Sequence, residues 1–398
     1  MVRLGTVAQI INGDRSSNYP SGEDFCETGV PFINAGHLKK GIIDYSSMDY
    51  ITHEKYNQLS GAKIQKNDIL LCLRGSLGKH ALVTADGGAP ASSIAVIRPN
   101  TEIVDPVYLS QIIASSLFQK QIEVENNGSS QPNLSAKSVS DFMIPLPLLE
   151  EQKIIASSLY DTDAMIAMLE KQIFKKKAIK QGAMQELLTG KRRLPGFSGR
   201  WIAGKWKEVL DCFSSGATPY RGNPTFYKGP IKWVSSGELN YNHIVDTLEH
   251  ISLEAKEKVS LAIHPAGTFL MAITGLEAAG TRGSCAILGT PATTNQSCMA
   301  IYGTDRMSTE YLFHYYVQHG DELAFQYCQG TKQQSYTAAI VKELPIYYPE
   351  DIAEQNAIAT VLTSMDNEIR ALEQKLKKYR QVKQGMMQQL LTGKIRLV

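Results

Sequence analysis

The chain repeats itself at an offset of 203 residues. Residues 151–194 align without a gap to residues 354–397, and half of the 44 aligned positions carry the same amino acid. A repeat with this period is far too long for a solenoid, so we expect a chain made of two similar halves. Two such halves can approximate a two-fold symmetric object, and double-stranded DNA, whose backbone has the same symmetry, is a natural partner for it.

Apolar residues recur inside each copy of the repeat at alternating spacings of four and three positions. This spacing is typical of coiled-coil helices and predicts one long helix over 151–190 and another in the C-terminal copy. We expect Gly190 and Gly393 to cap the two helices, which a globular domain separates and which can therefore pack antiparallel. The positions predicted to pack between the helices or to dock a partner are Ile155, Leu159, Ile166, Leu169, Gly182, Leu187, Ile358, Leu362, Ile369, Leu372, Gly385 and Leu390.

Two of these positions, Gly182 and Gly385, are glycines inside the predicted helices. Both lie in the same motif, Lys-Gln-Gly-x-Met-Gln. Because glycine in a helix costs about 1 kcal/mol relative to alanine, its presence in both copies indicates a close backbone approach. The approaching group would be the other long helix or a helix of a partner protein, and the alternative is simple retention since the duplication.

The remaining sequence predicts two similar globular domains. Short apolar runs separated by turn residues indicate strands, Thr52 is expected to cap a short helix, and residues 108–125 are expected to form a longer one. The predicted fold class is α+β: two similar globular α/β domains joined by two long antiparallel helices that form a coiled coil, with pseudo-two-fold symmetry. The predicted segments are 1–150 (first globular domain), 151–194 (first helix), 195–200 (linker), 201–353 (second globular domain) and 354–398 (second helix).

The two globular domains have diverged in sequence, whereas the two helices have stayed alike. Domains that share a fold but differ in side chains are expected to read different targets, and similar helices are expected to present similar surfaces to similar partners. A helix of about 38 residues is about 57 Å long. That length is enough to hold two reading domains about one turn of B-DNA, near 34 Å, apart.

Positive charge is concentrated at equivalent places in the two repeats. Residues 171–193 and 370–396 each contain eight basic residues and one acidic residue, while the net charge of the whole chain is only +2. These segments are either solvated helix faces or surfaces that lie near phosphates or an acidic partner.

The sequence carries no recognisable catalytic motif. Residues 223–226 (Asn-Pro-Thr-Phe) approach the catalytic turn of a methyltransferase but lack its second proline, and no P-loop is present. The six cysteines and eight histidines show no metal-ligand spacing, so we expect no catalytic residues, no metal and no cofactor. No signal peptide or spanning run is visible, which predicts a cytoplasmic protein with no membrane partner.

Several motifs together resemble the specificity (S) subunit of type I restriction-modification systems. They are the duplicated LLTGK-x-RL helix ends (187–194 and 390–397), Arg-Leu-Pro-Gly-Phe at 193–197 before Trp201, Ser-Gly-Ala-Thr-Pro at 215–219 followed by Trp233-Val234, the Glu-Gln pairs at 151–152 and 354–355, and the proline-rich exits at 144–147 and 344–345. The resemblance covers essentially the whole chain. The first domain departs from it in lacking the Gly-Ala-Thr-Pro turn that opens the second.

The resemblance implies two target-recognition domains and two conserved spacer helices. It implies binding to double-stranded DNA, to two methyltransferase (M) subunits and, through the complex, to motor-nuclease (R) subunits. Each recognition domain would read one half of a bipartite, asymmetric DNA site, and the chain itself would not be an enzyme.

The base-reading residues are expected in polar loops next to aromatic residues, because Arg, Lys, Asn, Gln, Ser and Thr read base edges. Many contacts from such loops go only to phosphates. The candidates are Arg15, Ser17, Asn18, Tyr19, Asn34, His37, Arg74, Ser76, Ser130, Gln131 and Asn133 in the first domain, and Tyr220, Arg221, Ser235, Glu238, Thr274, Arg282, Lys332, Gln333, Gln334 and Tyr336 in the second.

Two other classes of function remain open at this point. The chain could be a structural coiled-coil adaptor whose globular domains bind protein instead of DNA. It could also be an enzyme with motifs of an unfamiliar kind, which cofactor binding by the isolated chain would reveal.

Overall fold

The structure of the chain, a computed structural model, describes residues 1–14, 18–126, 133–276, 282–328 and 334–397. It divides into two compact units. Unit 1 consists of Met1–Lys171 together with Gln374–Val398, and unit 2 is Gln172–Glu373. The segment boundaries predicted from the sequence fall at the ends of the two long helices. The boundaries between the two units fall inside those helices.

The chain combines helices and strands, as the predicted α+β class requires. The helices are α1 (His53–Gln58), α2 (Pro106–Ala114), α3 (Ser116–Glu125), α4 (Ala136–Asp141), α5 (Leu149–Leu187), α6 (Trp206–Val209), α7 (Leu253–Lys258), α8 (Thr309–Tyr327), α9 (Ala338–Glu343) and α10 (Ile352–Leu390). Short 3₁₀ helices occupy Leu4–Thr6, Gly22–Asp24, Pro224–Tyr227 and Ser236–Glu238.

The strands of unit 1 build two four-stranded sheets and two strand pairs. Their bounds are β1 (Val2–Arg3), β2 (Ala8–Asn12), β3 (Phe25–Cys26), β4 (Val30–Ile33), β5 (Leu38–Lys39), β6 (Ile42–Ile43), β7 (Asp49–Ile51), β8 (Ile69–Cys72), β9 (His80–Leu82), β10 (Ala89–Pro90), β11 (Ile94–Pro99) and β12 (Met143–Ile144). The four-stranded sheets have the orders β2-β11-β8-β9 and β10-β4-β7-β3, and β1 pairs with β12 and β5 with β6.

The strands of unit 2 build a related arrangement. Their bounds are β13 (Trp201–Lys205), β14 (Asp211–Ser215), β15 (Ile231–Val234), β16 (Asn242–Ile244), β17 (Glu249–Ile251), β18 (Phe269–Ala272), β19 (Cys285–Leu288), β20 (Thr293–Thr294), β21 (Cys298–Tyr302) and β22 (Pro345–Pro349). The larger sheet has the order β14-β21-β18-β19-β16, a second sheet the order β17-β15-β20, and β13 pairs with β22.

The helix predictions near the globular domains were right in one case and wrong in the other. Thr52 caps α1, and its hydroxyl accepts a hydrogen bond from the backbone N–H of Lys55. The single helix expected over 108–125 is two helices, α2 and α3. Ser115 separates them because its backbone is extended (ψ 156°) and its hydroxyl donates to the carbonyl of Ile112 at 2.6 Å.

The long helices α5 and α10 each contain 39 residues. Past their last residues, Gly190 and Gly393 adopt φ of +70° and +71°. Residues other than glycine rarely adopt this left-handed backbone conformation, so the predicted glycine caps are confirmed.

Within unit 1, the first part of α5 packs antiparallel on the last part of α10. Asp163 pairs with Lys383 at 2.6 Å. At the helix end, the guanidinium of Arg396 forms two 2.6 Å hydrogen bonds with the buried carboxylate of Glu151. These contacts confirm the predicted antiparallel orientation for this pair of helix segments.

Unit 2 repeats these contacts with the roles of the helices exchanged. Lys180 of α5 pairs with Asp366 of α10 at 2.5 Å. Arg193 forms two 2.5 Å hydrogen bonds with the carboxylate of Glu354, which is fully buried. We call the two Arg–Glu pairs, Arg396–Glu151 and Arg193–Glu354, the helix clamps.

The apolar heptad positions lie where the helices pack within their units. In unit 1 the core includes Ile155 and Leu159 of α5 together with Leu390 of α10. In unit 2 it includes Leu187 of α5 together with Ile358 and Leu362 of α10. Leu169 and Ile369 are also buried, and Ile166 and Leu372 are half-buried.

One alternative for the helix glycines is wrong. A Cβ added at Gly182 or at Gly385 would have no heavy atom within 4 Å. The other long helix therefore does not approach either glycine closely. Close approach by a helix of a partner and simple retention since the duplication are the alternatives that this result leaves.

About half of the basic residues in the two basic stretches pair with acidic residues. Besides the helix clamps, Lys176 pairs with Glu368 and Lys177 with Glu373. In unit 1, the carboxylate of Glu170 accepts hydrogen bonds from Lys40 and Arg380. These two cations hold the pKa of Glu170 below its ordinary value. Much of the charge that suggested phosphate binding is thus matched inside each unit.

Candidate functional site

Several loops meet at one end of the sheets in unit 1. Strands β2 and β8 end beside the start of β11, because Asn12 is opposite Ala95 and Cys72 is opposite Ile94. Strand β4 ends beside the end of β10. The loops that follow or precede these strand ends form polar edge 1, defined as residues 13–14, 18–19, 34–37, 73–76, 91–93 and 133.

Backbone hydrogen bonds tie these loops together. The N–H of Leu73 donates to the carbonyl of Ser93, and the N–H of Leu134 donates to that of Leu73, both at 2.8 Å. Arg74 and Asn133 form a β-bridge, and the Arg74 Nε donates to the Asn133 side-chain oxygen at 3.2 Å. Two of the predicted loops, those that contain Arg74 and Asn133, thus form one exposed surface.

Two predicted residues of this edge hold a loop in shape. The Nδ1 of His37 accepts the backbone N–H of Asn34 at 3.1 Å, and its Nε2 therefore donates to the carbonyl of Ser47. His37 is buried, so its ring stabilises the loop from the interior of the unit and does not face solvent. The amide of Asn34 accepts from Gly36 and donates to Asp49.

Other predicted residues of polar edge 1 face solvent. Ser76 is exposed, and Asn18 is exposed while its amide donates to the carbonyl of Gln58. The ring of Tyr19 packs edge-on against Phe32. Four further candidates, Arg15, Ser17, Ser130 and Gln131, lie outside the described residues and stay predictions.

Unit 2 has the equivalent edge. Strands β14 and β18 end beside the start of β21, and β15 ends beside the end of β20. The loops at these strand ends form polar edge 2, defined as residues 216–221, 235–238, 248–249, 273–276, 295–297 and 334–336. Its backbone bonds match those of edge 1: Ile273 donates to Ser297, and Tyr336 donates to Ile273, both at 2.9 Å.

Arg221 is held in one orientation at this edge. Its two terminal nitrogens bind both oxygens of Glu249, at 2.5 and 2.8 Å. The guanidinium also lies over the rings of Tyr227 and Trp233, at 4.3 and 5.1 Å from their centroids. The bidentate pair lowers the pKa of Glu249, and the preceding residue, Tyr220, is exposed.

Ser235 and Glu238 bind one another. The backbone N–H and the hydroxyl of Ser235 donate to one carboxylate oxygen of Glu238, at 2.8 and 2.9 Å. The other oxygen accepts the N–H of Leu248 at 2.8 Å. These two candidates therefore fix the turn, and any contact of theirs with a ligand would compete with these bonds.

The remaining candidates of unit 2 surround a β-bridge between Thr274 and Ser335. Tyr336 is buried, and Gln334 is half-buried. Arg282 donates from Nε to the carbonyl of Leu276, and its guanidinium lies 5.3 Å from the ring centroid of Phe325. Lys332 and Gln333 lie outside the described residues.

Sequence reasoning missed two exposed residues of polar edge 2. Gln296 lies between β20 and β21, and its side-chain oxygen accepts the hydroxyl proton of Thr218. Its signal was the polar run Asn-Gln-Ser at 295–297 between two buried strands. Leu248 gave no such signal, because an apolar residue in a loop is not expected to face a ligand.

The described residues offer no site of two other kinds, a metal centre or a membrane-spanning helix. They contain no group of three or more His, Cys, Asp or Glu side chains that could hold a metal ion. No helix among them has both the length and the apolar character needed to cross a membrane.

Comparison with known proteins assigns the family. The model of the type I restriction modification DNA specificity domain matches twice, over residues 1–179 and 200–381. The chain therefore belongs to the type I restriction-modification specificity subunits. It is a specificity subunit and not the catalytic subunit of such a system.

Relatives in sequence agree with this assignment. The MjaVIII specificity subunit of Methanocaldococcus jannaschii is 25% identical over 415 residues, which covers 100% of this chain and 93% of the relative. The EcoBI specificity subunit of Escherichia coli is 27% identical over 168 residues, covering 41% of this chain and 35% of the relative.

Solved structures share the fold. The type I restriction-modification S subunit from M. genitalium has a TM-score of 0.64 at 12% identity, covering 98% of this chain and 95% of that one. A chain from work on complex assembly and conformational transition of the type I R-M system has a TM-score of 0.54 at 19% identity, covering 98% and 96%.

Proposed function

We propose that each polar edge reads one half of a bipartite, asymmetric DNA site. The observation that carries the proposal is that equivalent loops build both edges while different side chains occupy them. Where edge 1 presents Arg74 and Asn133, edge 2 presents Thr274 and Ser335. Two edges with one backbone plan and different side chains are suited to two different short sequences.

Hydrogen bonds between side chains of each edge support base reading. Specific contacts to base edges need donors and acceptors in fixed positions. The Arg74–Asn133 bond and the Thr218–Gln296 bond hold such groups in place before any ligand arrives. We infer that other polar residues of the edges contact phosphates and set the orientation of each unit on its half-site.

The helices are proposed to set the spacing between the half-sites and to dock two methyltransferase subunits. The helix clamps are equivalent in the two units, so each unit offers a partner the same helix framework. Gly182 and Gly385 lie at equivalent positions with open space around them, which suits close approach by a partner helix. Motor-nuclease subunits would join through the resulting complex.

The test is methylome sequencing of cells that express this chain with its cognate methyltransferase. We expect one new methylated motif, made of two short halves split by a fixed unspecified gap. Cells that express the methyltransferase without this chain provide the control and should lack the motif. Absence of any new motif, with the methyltransferase present and folded, would contradict DNA reading and favour the adaptor function.

A further inference from the structure

Leu248 is an unusual residue for a polar edge. Its side chain is 87% exposed, the highest value among the exposed large apolar side chains of the described residues. Exposing a leucine to water forgoes the stabilisation that its burial would give. Scattered exposed leucines are common, so its position and surroundings must decide whether it has a role.

The backbone of Leu248 is fixed in place. Its N–H donates to the carboxylate of Glu238, and the next residue, Glu249, begins β17 opposite Trp233 of β15. This register places Leu248 beside the end of β15, where polar edge 2 begins. The side chain is therefore presented by an ordered backbone at the edge itself.

The charges around Leu248 are already satisfied. Both oxygens of Glu249 bind Arg221, and both oxygens of Glu238 accept hydrogen bonds. Tyr220, 73% exposed, precedes Arg221 in the chain. The surface at this point is suited to an apolar group more than to a phosphate.

The equivalent position in unit 1 differs. Strand β7 begins at Asp49, and the preceding residue is Met48. Met48 packs against a buried apolar cluster of unit 1, and Asp49 accepts the amide of Asn34. At this position, the exposed apolar side chain is thus found in unit 2 and not in unit 1.

We propose that Leu248 contacts the 5-methyl group of a thymine in the half-site that unit 2 reads. The inference rests on the proposed function. In the major groove, the thymine methyl is the apolar group that distinguishes one base pair from another. An exposed leucine on a fixed backbone can recognise this methyl group, whereas the amides and hydroxyls nearby cannot.

The experiment measures binding of the complex between the full chain and its methyltransferase to DNA that contains the methylated motif. Each thymine of the two halves is replaced singly by deoxyuridine, which lacks only the methyl group. We expect one replacement, in one half, to weaken binding about four-fold, as loss of one buried methyl group predicts. In Leu248→Ala the same replacement should have no effect.

Leu253→Ala is the matched control, because Leu253 is also exposed but lies past the other end of β17. It should keep the sensitivity to deoxyuridine. The proposal is overturned if no replacement weakens binding, or if Leu248→Ala stays sensitive. Weaker binding of Leu248→Ala without any deoxyuridine effect would also overturn it and indicate insertion between bases. Failure of the proposed function is a separate result, since no bipartite motif would then exist.

Discussion

Units 1 and 2 hold their helices by the same contacts and present different edges. Gln152 and Gln355 show the shared part: each is fully buried, accepts one backbone N–H and donates to two backbone carbonyls. The helix clamps are equivalent in the same way. The identities that survive between the two copies thus mark the framework, and the differences collect where side chains face outward.

The largest expected effect comes from breaking a helix clamp. Arg193→Ala leaves the buried carboxylate of Glu354 without its partner, and removal of one partner from a buried pair costs about 3 kcal/mol or more. Urea unfolding should show this loss in unit 2. Arg396→Ala is the equivalent change in unit 1. A loss of stability in only one of these two variants would contradict the equivalence of the helix clamps.

A second comparison concerns pH. Burial, with a smaller contribution from the nearby Lys180, lowers the pKa of His314 in unit 2 to about 4, while Glu310 opposes the shift. Between pH 6.5 and 4 the unfolded chain binds a proton that the folded unit does not, so stability falls as the pH drops. The loss approaches about 3 kcal/mol at most.

Unit 1 has Gln111 at the position equivalent to His314, and its amide donates to Asp163. His314→Gln should therefore flatten the acid side of the stability profile of unit 2. His243 acts in the opposite direction, because Glu310 raises its pKa and its contribution is lost as the pH rises. An unchanged profile in His314→Gln would show that other groups cause the acid sensitivity.

A third change separates the two edges. Gln296→Ala removes an amide from polar edge 2 and should relax the sequence preference in one half of the methylated motif, at a cost of about 1–3 kcal/mol for the base pair concerned. Arg74→Ala in edge 1 should affect the other half. Methylome sequencing of both variants checks this, and changes in the same half would contradict the assignment of one half to each unit.

The smallest expected effect is at the helix glycines. Gly182→Ala meets no atom within 4 Å and should stabilise the chain by about 1 kcal/mol through helix propensity. If a partner helix approaches here, Gly182→Leu should weaken co-purification with the methyltransferase. Undiminished co-purification of a variant with leucine at both Gly182 and Gly385 would rule out close approach.

The sequence was sufficient to predict the framework because its signals are local and periodic. Heptad spacing identified Leu159 and Leu362 as packed positions, and the glycines after the helices were correctly read as caps. It did not reveal that Glu151 binds Arg396, since the partners of such a pair are far apart in the chain and nothing local couples them.

The candidate edges were predictable only in part. Polar composition identified loops that do meet at the strand ends, such as those of Arg74 and Asn133. Composition cannot distinguish a polar side chain that caps a turn, such as Ser235, from one that is exposed. Composition also does not select Leu248, because its proposed role depends on nearby charged groups being paired with partners elsewhere in the fold.

The division of α5 and α10 between the units has a consequence for synthesis on the ribosome. Unit 2 is continuous in the chain, whereas unit 1 contains residues from both sides of it. Unit 1 therefore cannot be completed before the segment from Gln374 onward is made, which follows Lys171 after roughly 10–40 seconds at 5–20 residues per second. During that interval the helix surface that Leu390 will cover is open, and unit 2 is the first part of the molecule that can be completed.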